Sequence, residues 1–560
     1  MAVYLIIGEG GNMAVHAWTE GQRIYVRTPY EFKDIMKSIT GGRWDKRNKA
    51  WHYPRSHRTL AEIMKSLPGP IGLSEDLLQM LEEGDPYEQA APIKEAADLP
   101  NPPICNGDDW LHQRRAYWWA KDLPAVLLDM WMGSGKTRTA INIIQNWYPE
   151  GNARVLIVCP PNVVPVWEEQ IAQHAALPWD VTLLPAGKPI SKRAALAEQA
   201  WQNTKPGTIT ALVCNYEAVW RGKLGEWVLS KNWDVVIGDE LHHIKAPGSK
   251  QSLFFAKLHK ISKRRLGLTG TPLHDGPLDI YGQARFLCPE VFGTSFANFR
   301  SRYARMGGYG GYQVLGYQNL DEFYEKYRSF TFSVSAEEAL PDLPPILFER
   351  RVCELNSEEK KVYTSLENDL IAQVREGLVT VSNALTKLIK LQQVTSGYVR
   401  DDLGFDRYVG DSKKRLLANV LADLPKEDPV VVFCRFTHDL DVVHEVARLD
   451  GRRSFELSGR RRDLKEWTHS KGGDVIAVQL KAGGEGVPMH RARYVIDYSL
   501  SFSLGEYNQT RSRLQRPEQT RQVVSIALVA SGTVDEQIYR ALKRKEKVIE
   551  TIMKGFGANE

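Results

Sequence analysis

Short aliphatic and β-branched runs alternate with helix-period segments twice along this chain, and that alternation restricts its fold more than any other feature. Between residues 108 and 290 the runs are Ala125-Val-Leu-Leu, Val155-Leu-Ile-Val, Ala211-Leu-Val and Val235-Val-Ile. Between 426 and 545 they are Val430-Val-Val-Phe, Val475-Ile-Ala-Val, Tyr494-Val-Ile and Val523-Val-Ser-Ile-Ala, with a polar helix after Val534. Continuous apolar runs bounded by helical segments mark parallel strands covered on both faces, the product of βαβ units. The expectation is an α/β protein with two parallel-sheet lobes, 108–290 and 426–545, and a tail at 546–560. Residues 291–425 read as a helical insertion, interrupted by a Gly/Tyr-rich loop at 307–317.

Ahead of the lobes, charge is segregated. Residues 21–68 hold eleven Lys/Arg against four Asp/Glu, and residues 75–98 hold eight acids against Lys94. The alternation Arg23-Ile-Tyr-Val-Arg predicts a strand, Tyr30-Glu-Phe-Lys-Asp-Ile-Met-Lys an amphipathic helix, and Gly41-Gly42 a turn. Residues 1–67 therefore read as a small basic α+β module. Seven prolines among the acids of 68–107 read as a linker, an acidic tether whose charge could compete with nucleic acid for the module, with one short helix near Leu77–Leu81.

Composition excludes several classes. With 43% hydrophobic and 25% charged residues in 560, the chain is neither disordered nor fibrous, and no apolar run nears the ~18 residues of a membrane span. No membrane partner is expected. The six cysteines, Cys105, Cys159, Cys214, Cys288, Cys353 and Cys434, are scattered without a Cys-x-x-Cys pair, so neither a disulfide framework nor a zinc site is written here. A reducing cytoplasm is the expected location, nucleoid-associated in a bacterium or phage.

Three clusters carry chemistry. Met132-Gly133-Ser134-Gly135-Lys136-Thr137 follows an apolar run and opens a helix. In that setting glycine amides approach phosphates, Lys136 reaches the β/γ-phosphates of ATP, and Thr137 ligates Mg²⁺. The first position of the usual glycine pattern is Met130. Asp239-Glu240-Leu-His242 ends another apolar run, with Asp239 suited to hold Mg²⁺ through water and Glu240 to orient and deprotonate the attacking water. In Gln509-Thr-Arg511-Ser-Arg513-Leu-Gln-Arg516, Arg513 and Arg516 lie three apart, and guanidinium charge there would stabilise a phosphoryl-transfer transition state.

Taken in order, these clusters resemble the superfamily-two helicases, and within them the Swi/Snf-like ATPases, over nearly all of 108–545. Leu111-His-Gln113 resembles the adenine-reading glutamine motif, Met132–Thr137 motif I, Val158-Cys-Pro160-Pro161-Asn162 with Trp167 motif Ia, and Asn215-Tyr216-Glu217 motif Ib. Asp239–His242 with Ile244-Lys245 resembles motif II, Leu268-Thr269-Gly270-Thr271-Pro272 motif III, and Val432-Phe433-Cys434 motif IV. Lys481-Ala-Gly-Gly-Glu-Gly486-Val resembles motif V, and Gln509–Gln519 motif VI. Leucine third in motif II, Arg-Pro-Glu-Gln in motif VI and the missing asparagine of motif V depart from the family's usual forms. The resemblance implies two RecA-like lobes using ATP and Mg²⁺. It adds Gly486 to the nucleotide site and makes Thr269, Thr271 and Gln509 coupling residues. It also implies DNA contacts at Pro160, Asn162, Asn215, Tyr216 and Lys481.

A second resemblance covers about 40 residues: Arg43-Trp44-Asp45-Lys46-Arg47-Asn-Lys49-Ala-Trp51-His-Tyr-Pro54 is similar to the core of a HARP domain, the DNA-structure-binding module of annealing helicases. Cations interleaved with aromatics suit junctions, because Lys and Arg neutralise phosphate while Trp stacks on unpaired bases. Arg43, Trp44, Lys46, Arg47, Lys49 and Trp51 are thus expected at DNA. The function these resemblances imply is an ATP-dependent double-stranded DNA translocase. It would remodel branched DNA by fork regression, branch migration or strand annealing in replication, recombination or repair, alongside other replication or recombination proteins. Two alternatives stand beside it: a strand-separating helicase or motor subunit of a nuclease or defence complex, and a nucleic-acid-binding scaffold with a vestigial ATPase. The last would be favoured by loss of Lys136, Glu240 or Arg516, and all three are present.

Overall fold

The structure, a computed structural model, describes residues 15–554 except 22, 274, 308–312, 340, 342, 376–380, 402, 481–488, 515–518 and 520. Two units divide the chain, one up to Ala339 and one over Leu340–Lys554.

The first unit begins with a five-stranded sheet, ordered Arg43–Asp45, Ala50–Pro54, Arg23–Arg27, His16–Glu20, Gly72–Leu73. Alternation puts Ala17, Ile24, Val26, Trp51 and Tyr53 on its inner face, packed with Leu60 and Ile63 of helix His57–Ser66. The expected strand Arg23–Arg27 is present. A 3₁₀ turn, Tyr30–Phe32, and helix Lys33–Ser38 occupy the predicted helical segment. Gly41 makes the turn in the left-handed region at φ +82°.

The module does not end at 67. Gly72–Leu73 adds a parallel strand beside His16–Ala17, and helix Glu75–Glu83 inserts Leu77 and Met80 into the core. The acidic segment is not a free tether either. The Asp76 carboxylate accepts hydrogen bonds from Thr19 and Ser74 and lies 3.7 Å from Arg55. Further on, Tyr87 Oη donates to the Ala125 carbonyl (2.8 Å), while Lys94 Nζ donates to the carbonyls of Arg328 (2.7 Å) and Thr331 (2.6 Å). The short helix expected near Leu77–Leu81 is present over Glu75–Glu83, while proline and acid content gave no sign of the polar anchors at Tyr87 and Lys94.

Seven parallel strands form the unit's large sheet, in the order Thr331–Val334, Ala125–Met130, Ser262–Thr269, Trp233–Asp239, Arg154–Cys159, Ile209–Asn215, Trp179–Leu184. Strand Ala125–Met130 is buried along its whole length, the apolar run Ala125–Leu128 as expected and Asp129 with it. Thr331–Val334 closes one edge, so residues 291–334 belong to this unit and not to a separate insertion.

The second unit holds six parallel strands, ordered Leu347–Cys353, Val524–Ala530, Tyr494–Asp497, Val430–Cys434, Val475–Gln479, Ser454–Leu457. Its sheet therefore starts at 347, and helices Ser357–Arg375 and Val381–Thr395 belong with it. The expected insertion 291–425 is divided between the two units. Both α/β lobes and the small N-terminal module are present as anticipated. No helix among the described residues is long and apolar enough to cross a membrane.

Candidate functional site

Sheet order explains why motifs distant in sequence meet. Strand Ser262–Thr269 lies between Ala125–Met130 and Trp233–Asp239, so the segment after Thr269 sits between the phosphate loop and the acidic pair. All three strands are parallel, and all three clusters leave their carboxyl ends, where a twisted parallel sheet presents its loops for binding.

The phosphate loop turns through left-handed glycines, Gly133 at φ +83° and Gly135 at φ +82°, before helix Lys136–Trp147. Its shape is held from outside. Gln113 Nε2 (2.9 Å) and His112 Nε2 (2.8 Å) both bond the Ser134 carbonyl, and Gln113 Oε1 accepts from Trp110 N (3.0 Å). A Cβ at Gly135 would lie 2.1 Å from Gln113 Nε2, so the glycine is required by both backbone conformation and space. Lys136 Nζ donates to the carbonyls of Met130 (2.8 Å) and Trp131 (3.3 Å), and a Cβ at Gly270 would stand 3.6 Å from that nitrogen. Met132 and Ser134 are buried, and Thr137 is half-buried at the first turn of the helix.

Asp239 is 8% exposed and fixed on three sides. Trp167 Nε1 donates to its Oδ2 (2.9 Å), Glu240 N to its Oδ1 (3.0 Å), and Tyr216 Oη to its backbone carbonyl (2.9 Å). Glu240 follows in the left-handed region, φ +52° and ψ 54°, an unusual conformation for a residue with a side chain. His242 Nδ1 lies 3.4 Å from Glu240 Oε2 and 3.2 Å from Thr269 Oγ1, which in turn accepts from Thr271 N (3.1 Å). Burial opposes charge on Glu240, but the hydrogen bond and positive field of His242, with Lys136 and His243 behind it, hold the carboxyl well below its ordinary range. The expected coupling residues thus stand beside Glu240, with Thr269 bonded to the same His242 nitrogen that lies 3.4 Å from Glu240 Oε2 and Thr271 bonded to Thr269.

Mg²⁺ takes few protein ligands, keeping water and substrate phosphate oxygens for the rest. Asp239 and Thr137 supply the hard oxygen donors that suit it. Among the described residues there is no cluster of three or more His, Cys, Asp or Glu that could hold a metal ion.

Two of the expected DNA contacts are corrected. Tyr216 is 0% exposed, stacked on His243 (4.9 Å between centroids, 13°) with its hydroxyl on Asp239. Asn215 is 5% exposed, accepting from Arg193 Nη1 (3.0 Å) and donating to Glu217 (2.6 Å). Both side chains position the acidic strand and its neighbours instead of reaching solvent. Asn162 is exposed, whereas Pro160 is buried at the end of its strand.

In the N-terminal module Trp44 is 49% exposed, and Arg43, Lys46, Arg47 and Lys49 are exposed around it. Trp51 is only 8% exposed and packs edge-on against Trp44 (5.6 Å, 66°), so it is a core residue that braces the exposed ring. The sheet's outer face carries a row that sequence reading passed over: Trp18 stacks on Tyr25 (5.5 Å), Tyr25 meets His52 (5.7 Å), and Arg27 lies over Trp18 (5.3 Å).

In the second unit, Gln509 (8% exposed) and Arg513 (2% exposed) are buried. Helix Leu504–Ser512 stops before Arg513, which caps it, so the expected i, i+3 helical face does not run through Arg513. Arg511 stacks on Tyr507 (3.6 Å) and bonds Asp497 and Ser525, a structural role. Arg516, Lys481 and Gly486 lie outside the described residues.

Sequence reading also missed Asp129, just before the loop. Its Oδ2 accepts from Tyr327 Oη (2.8 Å) and Ser333 Oγ (3.0 Å), joining the loop's strand to the edge strand Thr331–Val334.

Comparison with known proteins places these parts. A sequence model described as SNF2-related domain matches residues 109–397, and one described as helicase conserved C-terminal domain matches 412–518. An uncharacterised ATP-dependent helicase of Mycoplasma genitalium is 22% identical, covering 75% of this chain and 39% of its own length. The human DNA annealing helicase and endonuclease ZRANB3 is 24% identical over 76% of this chain and 38% of its own. This chain thus spans well under half the length of those two. A putative protein p41 of Acyrthosiphon pisum secondary endosymbiont phage 1 is 25% identical over 76% of this chain and 93% of its own. Among solved structures, the Sulfolobus solfataricus SWI2/SNF2 ATPase core in complex with dsDNA covers 82% of this chain and 95% of its own, with 20% identity and a TM-score of 0.39.

Proposed function

Because the chain belongs to the SNF2-related family of helicase-type ATPases, we propose that it is an ATP-driven motor that moves along double-stranded DNA and acts on branched DNA in repair or recombination. The observation that carries this reading is the gathering of Lys136, Asp239, Glu240 and Thr269 at the carboxyl ends of three adjacent strands, with His242 in contact with both Glu240 and Thr269.

ATP is the substrate. The amides of the glycine loop and the N-terminus of helix Lys136–Trp147 bind its phosphates, and Lys136 compensates their charge. Mg²⁺, held by Asp239 and Thr137, would neutralise charge on the β- and γ-phosphate oxygens. The positive groups around Glu240 favour its ionised form. The main contribution of this carboxylate is to orient the attacking water, accepting the proton as the bond to phosphorus forms. Arg513 and Arg516 are assigned to the transition-state charge. Loss of the γ-phosphate changes what Glu240 faces, and His242 passes that change to Thr269 and Thr271, the start of the DNA coupling.

Supporting the branched-DNA part are the exposed Trp44 with Lys46, Arg47 and Lys49, and the likeness to an annealing helicase. The test is steady-state ATPase with no nucleic acid, single strand, blunt duplex and a model fork. Wild type is compared with Trp44→Ala and with Lys46→Ala plus Arg47→Ala, which leave the module's core intact. Stimulation by duplex and fork, with only the fork preference lost in the variants, is the expected result. Stimulation by single strands alone, unchanged in the variants, would replace the proposal with a strand-separating helicase.

A further inference from the structure

A cavity of about 410 Å³ opens where the N-terminal module meets the first unit's large sheet. Pro124 and Ser262 in its wall adjoin the amino ends of strands Ala125–Met130 and Ser262–Thr269, so it lies at the opposite end of the sheet from the phosphate loop. Its size is that of a small-molecule site, which typically spans ~300–1,000 Å³.

The lining is basic. Arg55 and Arg58 come from the module, Lys260 from the 3₁₀ turn His259–Ile261 that leads into the sheet, and Lys263 and Arg265 from the strand after it, with the carboxylates of Asp85 and Glu290 also in the wall. Two of the cations are neutralised in part, Lys263 by Asp234 (2.7 Å) and Arg55 by Asp76 (3.7 Å). Arg58, Lys260 and Arg265 form no ion pair among the described residues. Arg58 Nη1 donates to Ser329 Oγ (2.9 Å), and Arg265 donates to the carbonyls of Leu287 (3.1 Å) and Ser262 (3.0 Å). Those bonds aim the guanidinium groups without neutralising them. Asp85 accepts from Tyr87 N (2.9 Å), and the Glu290 carboxyl, raised by burial and lowered by Arg265 and Arg58, offsets part of the charge of those two cations without an ion pair to either.

An unpartnered ring nitrogen also belongs to a wall residue. His57 Nε2 is buried and has no hydrogen-bond partner among the described residues. His57 begins the ten-residue helix His57–Ser66, whose first-turn amides add positive potential on the same side.

We propose that this cavity binds a phosphoryl group, held between His57 and Arg58 of the module and Lys260 and Arg265 on the side of the sheet, and that the bound anion ties the module to the sheet. A phosphoryl group suits the three cations that carry no ion pair, and guanidinium groups favour phosphate through paired bonds. The proposal goes beyond the motor reading and uses none of its residues, so either can fail alone.

The test is calorimetric titration of inorganic pyrophosphate into the full chain carrying Lys136→Ala, which disables the phosphate loop. One binding event is expected, weakened at least about tenfold by Arg58→Gln plus Lys260→Gln, the loss of a charge-assisted bond or more, and partly restored by Arg58→Lys. Arg58→Gln alone serves if the double variant does not fold. No binding at millimolar pyrophosphate, or binding indifferent to Arg58 and Lys260, overturns the proposal. A short oligonucleotide that displaces pyrophosphate assigns the phosphate to a nucleic-acid backbone, and one that does not assigns it to a small phosphorylated molecule.

Discussion

Replacing Gly135 by alanine probes how the phosphate loop is held. The φ of +82° places an L-residue in a conformation that costs about 1–2 kcal/mol. The new Cβ would also stand 2.1 Å from Gln113 Nε2, so Gln113 must move. Moving it breaks its bonds to the Ser134 carbonyl (2.9 Å) and from Trp110 N (3.0 Å), each contributing ~0.5–1.5 kcal/mol. The sum is ~2–5 kcal/mol against the phosphate-binding shape of the loop, or about 30- to 3,000-fold in nucleotide affinity. Fluorescent ADP titration of Gly135→Ala measures it, with thermal unfolding to confirm that the unit folds. The structure further requires non-additivity, because Gln113→Ala removes the atom the methyl group strikes. The double variant should be weaker than Gly135→Ala by much less than Gln113→Ala alone costs. Affinity within about threefold of wild type for Gly135→Ala, under ~0.7 kcal/mol, would refute the reasoning.

Three further outcomes are expected. Trp167→Phe keeps the packing but removes the donor to Asp239 Oδ2, a bond to a charged group of ~1.5–3 kcal/mol. ATPase kcat/KM should fall about 10- to 100-fold, with the Mg²⁺ titration midpoint raised. Burial lifts the Asp129 carboxyl from 3.8 to about 6, against the hydrogen bonds from Tyr327 and Ser333. The folded state therefore binds a proton before the unfolded chain does. The penalty, about 3 kcal/mol, is fully present above pH 6 and relieved as pH falls toward 3.8. The Tm of Asp129→Asn relative to wild type should accordingly be higher at pH 8 than at pH 5, which scanning calorimetry reads directly. In the second unit, Arg511→Leu leaves Asp497 buried without its cation and should cost ~3–5 kcal/mol in urea unfolding, whereas a surface pair would cost under ~1.

What the sequence made legible were features whose cause is local. Central strands such as Ala125–Met130 and Val430–Cys434 are apolar because both faces are covered, so their residues alone identify them. Ser262–Thr269 was hidden by Lys263-Arg264-Arg265 at its start. Edge strand Leu347–Cys353 was hidden by Glu349-Arg350-Arg351, the charge that edge strands carry against unwanted pairing. Those hidden strands are also why residues 291–425 read as one insertion. The same distinction holds at the site. The glycine loop and the Asp239–Glu240 pair are contiguous and were read directly. The Trp167–Asp239 bond spans 72 residues and the Tyr327–Asp129 bond 198, and only the sheet order brings such partners together. Tyr216 misled for a related reason: the resemblance of Asn215-Tyr216-Glu217 to motif Ib implied a DNA contact, while the fold turns Tyr216 inward onto Asp239.

The central claim is that hydrolysis at Lys136 and Glu240 drives movement along duplex DNA. Its most direct test is displacement of a third strand from a blunt duplex, with wild type and Glu240→Gln compared under matched ATP and Mg²⁺. ATP-dependent displacement by wild type, absent in Glu240→Gln although that variant still binds ATP, is the result the account predicts. Displacement that persists in Glu240→Gln, or wild type that hydrolyses ATP on duplex without displacing the strand, would contradict it.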